Sequence, residues 1–196
     1  MALGAGSVTP LQMASAYGVF ANGGYLMAPR LIEKVTDAKG RLLQSSPVPS
    51  PDESMRTLDA RNAFVMSDLL QEVTRSGTAA KAQATLRRAD IYGKTGTTND
   101  SMDAWFAGWH AGLVAVVWIG YDNPRKLGDR ETGGGLSLPV WIDYMAYALK
   151  GVPVRELTPP EGVTQVDGDW SFDEFSQGAG VRSVGLEDVL PPAPTT

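Results

Sequence analysis

The 196-residue chain has no cysteine and a single histidine, His110. The first absence removes disulfides, thiolate metal sites and cysteine nucleophiles together. The second makes any Ser-His-Asp triad, or any imidazole-based metal site, depend on one side chain. Long apolar runs are also missing. The longest, AGLVAVVWIGY (Ala111 to Tyr121), falls well short of the ~20 residues that span a bilayer. The start, MALGAGSVTP, has neither the basic nor the apolar region of a signal peptide. Lys and Arg total 17 against 22 Asp and Glu, a net charge of -5, so charge gives no argument for nucleic-acid binding. What is present is the makeup of a globular chain, 43% hydrophobic and 20% charged, long enough to build one real core.

TPLQMASAYGVFANGG reads as a helix. Thr9 is a good N-cap, Pro10 suits the first helical position, and Gln12 completes a T-x-x-Q capping box. Gly23 and Gly24 supply the stop. Leu11, Ala14, Ser15 and Gly18 share one face, and residues this small predict close packing against a neighbour. RLIEKVTDAKGRLLQ alternates around Asp37-Ala38-Lys39-Gly40 and predicts a β-hairpin. LDARNAFVMSDLLQEVTRSGTA predicts a second helix, capped by Asp59, with an apolar stripe of Ala63, Met66, Leu69, Leu70 and Val73 and a stop at Gly77. The alanine-rich piece that follows has no clear assignment.

Three strands are then expected: Ala89 to Thr97, Ala104 to His110, and Leu113 to Tyr121. The last two are joined only by Ala111-Gly112, which demands antiparallel pairing. Their near-continuous apolar character predicts a sheet with both faces covered. A glycine loop leads to a final helix, about Leu138 to Lys150. Past Gly151 the chain is rich in Pro, Gly and Asp. A short strand or two is expected within DGDWSFDEFSQGAGVRS, and a frayed end from Leu190.

The informative stretch is ADIYGKTGTTND. Gly93-Lys94-Thr95 resembles the end of a phosphate-binding loop, but G-x-x-x-x-G-K-[ST] needs glycine at the position of Arg88. It also needs a helix directly after the lysine, and Gly96-Thr97-Thr98-Asn99-Asp100 starts one poorly. The alternative is K-T-G on a strand, as in serine acyltransferases of the penicillin-reactive kind. Lysine can bind a substrate carboxylate and threonine can donate or relay a hydrogen bond. Glycine clears the strand for an extended substrate, and the Thr97 N–H can serve as an oxyanion donor. The tripeptide alone recurs by chance, and a strand lysine is ordinarily a solvated charge.

Its surroundings change the weighing. ALGAGSVTPLQMASAYGVFANGG, GKTGTTND, DAWFAGW, VAVVWIGYDNP and GGGLSLPVWIDYM follow one another in this order. Together they resemble the C-terminal half of the transpeptidase domain of class A, bifunctional penicillin-binding proteins. The likeness runs from Ala2 to about Gly151 and is fainter from Pro159 to Leu186. It implies an α/β fold of the penicillin-binding transpeptidase and serine β-lactamase type, an antiparallel sheet flanked by helices, here incomplete on its N-terminal side. Residues 1–151 would be the C-terminal portion of that domain and 152–196 a Pro/Gly-rich extension. The resemblance puts Lys94, Thr95, Gly96 and Thr97 on the family's active-site strand. It implies that Lys94 and Thr97 face a substrate or β-lactam carboxylate, and that the Thr97 N–H is half of the oxyanion hole.

The same resemblance implies peptidoglycan cross-linking by the parent enzyme, with stem peptides and β-lactams as ligands. No metal or organic cofactor is needed for that chemistry. The expected location is the periplasmic side of the bacterial inner membrane, through an anchor that this chain lacks. The departure from the pattern concerns the nucleophile. The family uses S-x-x-K and a second motif, S-x-N, both upstream of the TPLQ helix. No serine here has lysine three places on or asparagine two places on. The S-x-D pairs Ser50-Pro51-Asp52 and Ser101-Met102-Asp103 are a loop and a turn in the wrong order. The chain alone is thus expected to be inactive, with the half of the domain that carries the serine as its missing partner. A serine β-lactamase-like hydrolase and a truncated, non-catalytic chain stay open as alternatives.

Other features read as structural. His110 is expected at the rim of a strand, without a catalytic partner pattern. Trp105, Phe106, Trp109 and Trp118 read as packing, and Thr132 to Pro139 as a flexible connection. Asp167, Asp169, Asp173 and Glu174 lack calcium-loop spacing.

Overall fold

The computed structural model describes residues 6–129 and 131–176. Its first helix, α1 (Pro10–Ala21), opens with the expected capping box. The Gln12 N–H donates to Thr9 Oγ1 (3.2 Å) and the Thr9 N–H to Gln12 Oε1 (2.8 Å). After the helix, glycine is required at Gly24, where φ is +117° and a Cβ would lie 2.0 Å from Leu58 O. The packing expected on the small-residue face is not observed. Leu11, Ala14, Ser15 and Gly18 line an open groove with Met27, Ala28 and Pro29, and no residue of α1 is buried. Small side chains allow close approach but do not supply a neighbour, and none among the described residues enters the groove.

The predicted hairpin is β1 (Lys34–Thr36) with β2 (Leu42–Ser45), paired antiparallel. The Asp37 carboxylate closes its turn by accepting from the N–H groups of Lys39 and Arg41, each at 2.9 Å. The second helix, α2 (Ala60–Arg75), is capped by Asp59, which accepts from the Arg61 N–H at 2.8 Å. Its buried residues are Ala63, Phe64, Ser67 and Thr74. Met66 and Leu69, two members of the predicted stripe, are 40% and 57% exposed. The hydroxyls of Ser67 and Thr74 are satisfied on this rotated face. They donate to Ala63 O (2.7 Å) and Ile91 O (2.5 Å), so these polar residues are buried with partners. The alanine-rich piece forms α3 (Lys81–Leu86), flanked by the fully buried Ala79.

β3 (Tyr92–Thr97), β4 (Ala104–His110) and β5 (Leu113–Ile119) form an antiparallel sheet in the order β3-β4-β5. Register sorts the side chains by face. Tyr92 pairs with Trp109 and Trp109 with Val114. On that face the Trp109 ring stacks on Tyr92 at 5.3 Å and receives Tyr17 and Phe20 of α1 at 5.7 and 6.1 Å. Thr95 pairs with Phe106 and Phe106 with Val117. This opposite face meets α4 (Leu138–Ala148). Phe106 packs on Trp141 at 4.9 Å, and Trp141 Nε1 donates to Ala115 O at 3.0 Å. β4 is thereby covered on both faces, whereas β5 is only half-buried along its length. The result is the α/β arrangement expected, an antiparallel sheet with helices on both faces.

The chain divides into two compact units, one ending at Thr158 and one beginning at Pro159. In the second, β6 (Val163–Val166) and β7 (Asp169–Phe172) form an antiparallel hairpin. Asp167 and Gly168, both at positive φ, make its two-residue turn. The tail expected to fray from Leu190 lies outside the described residues. Among those described, no helix is long and apolar enough to cross a membrane, and no cluster of His, Asp and Glu is placed to hold a metal.

Candidate active site

The site is built on β3, which among the described residues pairs only with β4. Backbone groups of successive strand residues point to opposite edges, so one known bond fixes the rest. The Thr98 N–H donates inward to Asp103 O at 3.2 Å. Thr97, Thr95 and Gly93 therefore turn their backbone groups to the outer edge. Two further contacts agree. Ile91 O, two residues earlier, is reached from outside the sheet by Thr74, and Thr95 O is free to accept from Lys94 Nζ at 2.9 Å. An edge of this kind can take an extended peptide as an added strand.

Two hydroxyls line the same edge. Thr97 Oγ1 accepts from the Gly133 N–H at 3.1 Å, which leaves its own proton for another acceptor. Thr95 Oγ1 shares a hydrogen bond with Thr78 Oγ1 at 2.8 Å and lies 3.5 Å from Lys94 Nζ. Lys94 is exposed, opposite the small Ala107 in the register. Thr98 serves the turn behind the strand, where its Oγ1 accepts from the Asp103 N–H at 2.8 Å.

The glycine run beside this strand is not the flexible connection the sequence suggested. Gly133–Ser137 forms one wide helical turn that leads directly into α4. Thr132 Oγ1 accepts from the Gly135 N–H at 3.1 Å, and the buried Ser137 hydroxyl donates to Ala104 O at 2.7 Å. Gly133 lies so close to the sheet that a Cβ there would be 2.2 Å from Trp105 O and 2.4 Å from Gly96 O.

The start of β3 is fixed by a charge cluster. Asp90 is fully buried. It accepts from Arg88 Nε (2.9 Å), Arg88 Nη2 (2.8 Å) and the Arg155 N–H (2.7 Å). Arg88 also donates to Val152 O (2.6 Å) and Pro153 O (3.0 Å). His110 belongs to this cluster rather than to a rim. It is 5% exposed, with Nε2 3.2 Å from Asp90 Oδ2. The Gly112 N–H donates to its Nδ1 at 3.2 Å, which places the proton on Nε2. Burial pushes the Asp90 carboxyl up, but Arg88, the Arg155 N–H and His110 outweigh it and hold the group below the usual carboxylate range. Burial holds His110 below the ordinary imidazole value against the pull of Asp90.

The penicillin-binding protein transpeptidase domain matches residues 1–146 of this sequence. The chain belongs to that family. Among curated penicillin-binding relatives, penicillin-binding protein 1A of Neisseria flavescens is 48% identical over 170 residues, 86% of this chain and 21% of that protein. Penicillin-binding protein 1A of Pseudomonas aeruginosa is 37% identical over 85% of this chain and 26% of its own length. The crystal structure of penicillin-binding protein 1A from Haemophilus influenzae superposes with a TM-score of 0.75 at 34% identity, over 83% of this chain and 29% of that one. The D,D-transpeptidase domain of an Eggerthella lenta peptidoglycan glycosyltransferase gives 0.56 at 29% identity, over 74% and 33%. The chain thus spans about a fifth to a quarter of the curated penicillin-binding relatives' length.

The fold places Lys94, Thr95, Gly96 and Thr97 on β3. It adds Thr78 and Gly133, which hold the two hydroxyls, and Asp90, which anchors the strand. No role was read for these three in the sequence, because each has a partner well removed along the chain: Thr95 for Thr78, Thr97 for Gly133, and His110 and Arg155 for Asp90. The two S-x-D pairs noted in the sequence lie in turns and connections outside β3. Asp52 caps the 3-10 turn Glu53–Met55, and Ser101 and Asp103 close the β3–β4 connection. A third pair, Ser171-Phe172-Asp173, lies in the second unit.

Proposed function

We propose that this chain is the part of a serine-type D-Ala-D-Ala transpeptidase that supplies the substrate-binding strand. In that reaction a serine hydroxyl attacks the carbonyl of the penultimate D-Ala of a stem peptide. The peptide C–N bond breaks and the terminal D-Ala leaves as a free amino acid. An amine of a second stem then takes the acyl group and returns the serine. A β-lactam enters the same first step, and its opened ring stays attached.

The observation that supports this reading most is the outward-turned edge of β3, with Thr95 and Thr97 hydroxyls beside it. In this reading a stem peptide lies along β3 as an added strand. Lys94 and Thr97 meet its terminal carboxylate, Gly96 leaves room for its backbone, and the Thr97 N–H donates to the oxyanion. An ammonium, oriented hydroxyls and a fixed amide suit an anion better than a neutral group. The chain has no S-x-x-K serine, so we assign the nucleophile and its lysine to sequence outside it. We assign the membrane anchor and a glycosyltransferase domain there too, with the catalytic site on the periplasmic side of the inner membrane.

The test is a chimera in which this chain replaces the matching segment of the Neisseria flavescens transpeptidase domain. The chimera should be acylated by a fluorescent penicillin. Lys94→Ala should slow acylation by roughly 30- to 1000-fold, the equivalent of ~2–4 kcal/mol in the transition state. Lys94→Arg should recover only part, because a planar guanidinium does not replace a compact ammonium. Unchanged rates with intact melting would reduce Lys94-Thr95-Gly96 to a chance tripeptide.

A further inference from the structure

Thr78 was not singled out by the sequence, and the α2–α3 turn that carries it is held unusually firmly for an exposed segment. The Gly77 N–H donates to Glu72 O and the Ala79 N–H to Val73 O, at 3.1 and 3.0 Å. A Cβ at Gly77 would lie 2.8 Å from Val73 Cα, so the turn sits directly on the end of α2. Ala79, the next residue, is completely buried. Thr78 is exposed between these anchors, with its hydroxyl 2.8 Å from Thr95 Oγ1. The glycine turn closes the third side. A Cβ at Gly134 would stand 3.4 Å from Thr78 O and 3.8 Å from Thr95 Cγ2.

A threonine hydroxyl has one proton and two lone pairs. Either partner of the Thr78–Thr95 bond can be the donor. A carboxylate at Thr95 removes the choice, since an anion accepts only. The Thr95 proton then goes to the carboxylate, and Thr78 must donate to Thr95 Oγ1. Lys94 Nζ, 3.5 Å from the same oxygen, is a second donor. Donation into an oxygen polarises its own O–H and strengthens the bond that O–H makes. The Gly133 N–H stands in the same relation to Thr97 Oγ1.

We infer that Thr78 is a positioning residue of the substrate-carboxylate site: it acts through Thr95, whose hydroxyl it turns toward the anion. This rests on the transpeptidase reading above and extends the carboxylate site beyond the strand to the turn after α2. A bond that only steadies the turn would show in melting and leave acylation unchanged. The positioning role ties the two residues together.

The test uses the same chimera and fluorescent penicillin, with Thr78→Val, Thr78→Ser, Thr95→Val and the double variant, and thermal melts throughout. Thr78→Val keeps the shape and removes the hydroxyl, and should slow acylation about five- to twentyfold. Thr78→Ser restores the hydroxyl and should come within about threefold of the parent. The Thr78→Val/Thr95→Val pair should be no slower than Thr95→Val alone, because the first hydroxyl acts only through the second. Additive losses overturn the inference, as does a Thr78→Val rate equal to the parent's while Lys94→Ala remains slow. A Lys94→Ala rate equal to the parent's overturns the transpeptidase reading instead.

Discussion

Replacing Gly133 by alanine puts a Cβ 2.2 Å from Trp105 O, 2.4 Å from Gly96 O and 3.1 Å from Gly96 N. All three neighbours are backbone atoms of β3 and β4, so no side-chain rotation relieves the overlap. A carbon and a carbonyl oxygen meet comfortably at ~3.3 Å, so the turn and the strand must separate by about 1 Å. Overpacking of this kind costs about 3 kcal/mol. The separation also breaks the Gly133 N–H to Thr97 Oγ1 bond. A displacement of that size at a reacting group costs on the order of 100-fold in rate. Gly135 provides the control two residues on. Its Cβ would meet only Thr132 Oγ1, at 3.4 Å, and a tolerated Gly→Ala change is neutral or stabilises by ~0.4–1 kcal/mol. The two variants, each measured in the transpeptidase chimera by melting and by acylation, should thus diverge. Gly133→Ala should melt lower and acylate slowly; Gly135→Ala should match or exceed the parent in melting. Equal behaviour would show that the glycine turn yields freely and does not position β3.

Asp90→Asn keeps the shape of the buried side chain but leaves Arg88 without its counter-charge, and should destabilise the chimera by about 3 kcal/mol in denaturant titration. Acid should weaken the fold in two stages. His110 is held below its ordinary value, so the stability it contributes is complete above the unfolded value of ~6.5 and is lost as pH falls below it. Asp90 is also held low, so its contribution is present above ~3.9 and disappears as pH falls through its lower folded value. His110→Gln should remove the upper stage only. The chain by itself, incubated with fluorescent penicillin and run on a denaturing gel, should carry no stoichiometric serine-linked label, since no serine in it is followed by lysine three places on.

The parts legible in the sequence were those governed by local rules. The Thr9 cap, the Asp37–Gly40 turn, the Asp59 cap and the β4–β5 hairpin each depend on residues a few positions apart, and each formed as predicted. The K-T-G strand was legible because its flanking segments were distinctive. What the sequence obscured depends on partners far along the chain. Thr74 looks polar until Ile91 O is seen to accept from it. His110 looks solitary until Asp90 is brought to it. The glycines at 133–135 look loose because their order comes from contact with β3 and β4 and not from their own side chains.

The Asp90 cradle also bears on the sequence of events in folding. Each strand pair described joins neighbours in the chain: β1 with β2, β3 with β4, β4 with β5, and β6 with β7. Pairings of that kind close short loops and form early. The bond from the Arg155 N–H to Asp90 instead joins groups 65 residues apart, with the whole sheet and α4 between them. It is made only once that intervening structure is in place. Loss of the carboxylate should therefore hasten unfolding while barely slowing folding. In kinetic terms the Asp90–Arg155 contact is expected to act as a bolt drawn across a sheet already assembled, bearing on how long the folded state lasts rather than on how quickly it is reached.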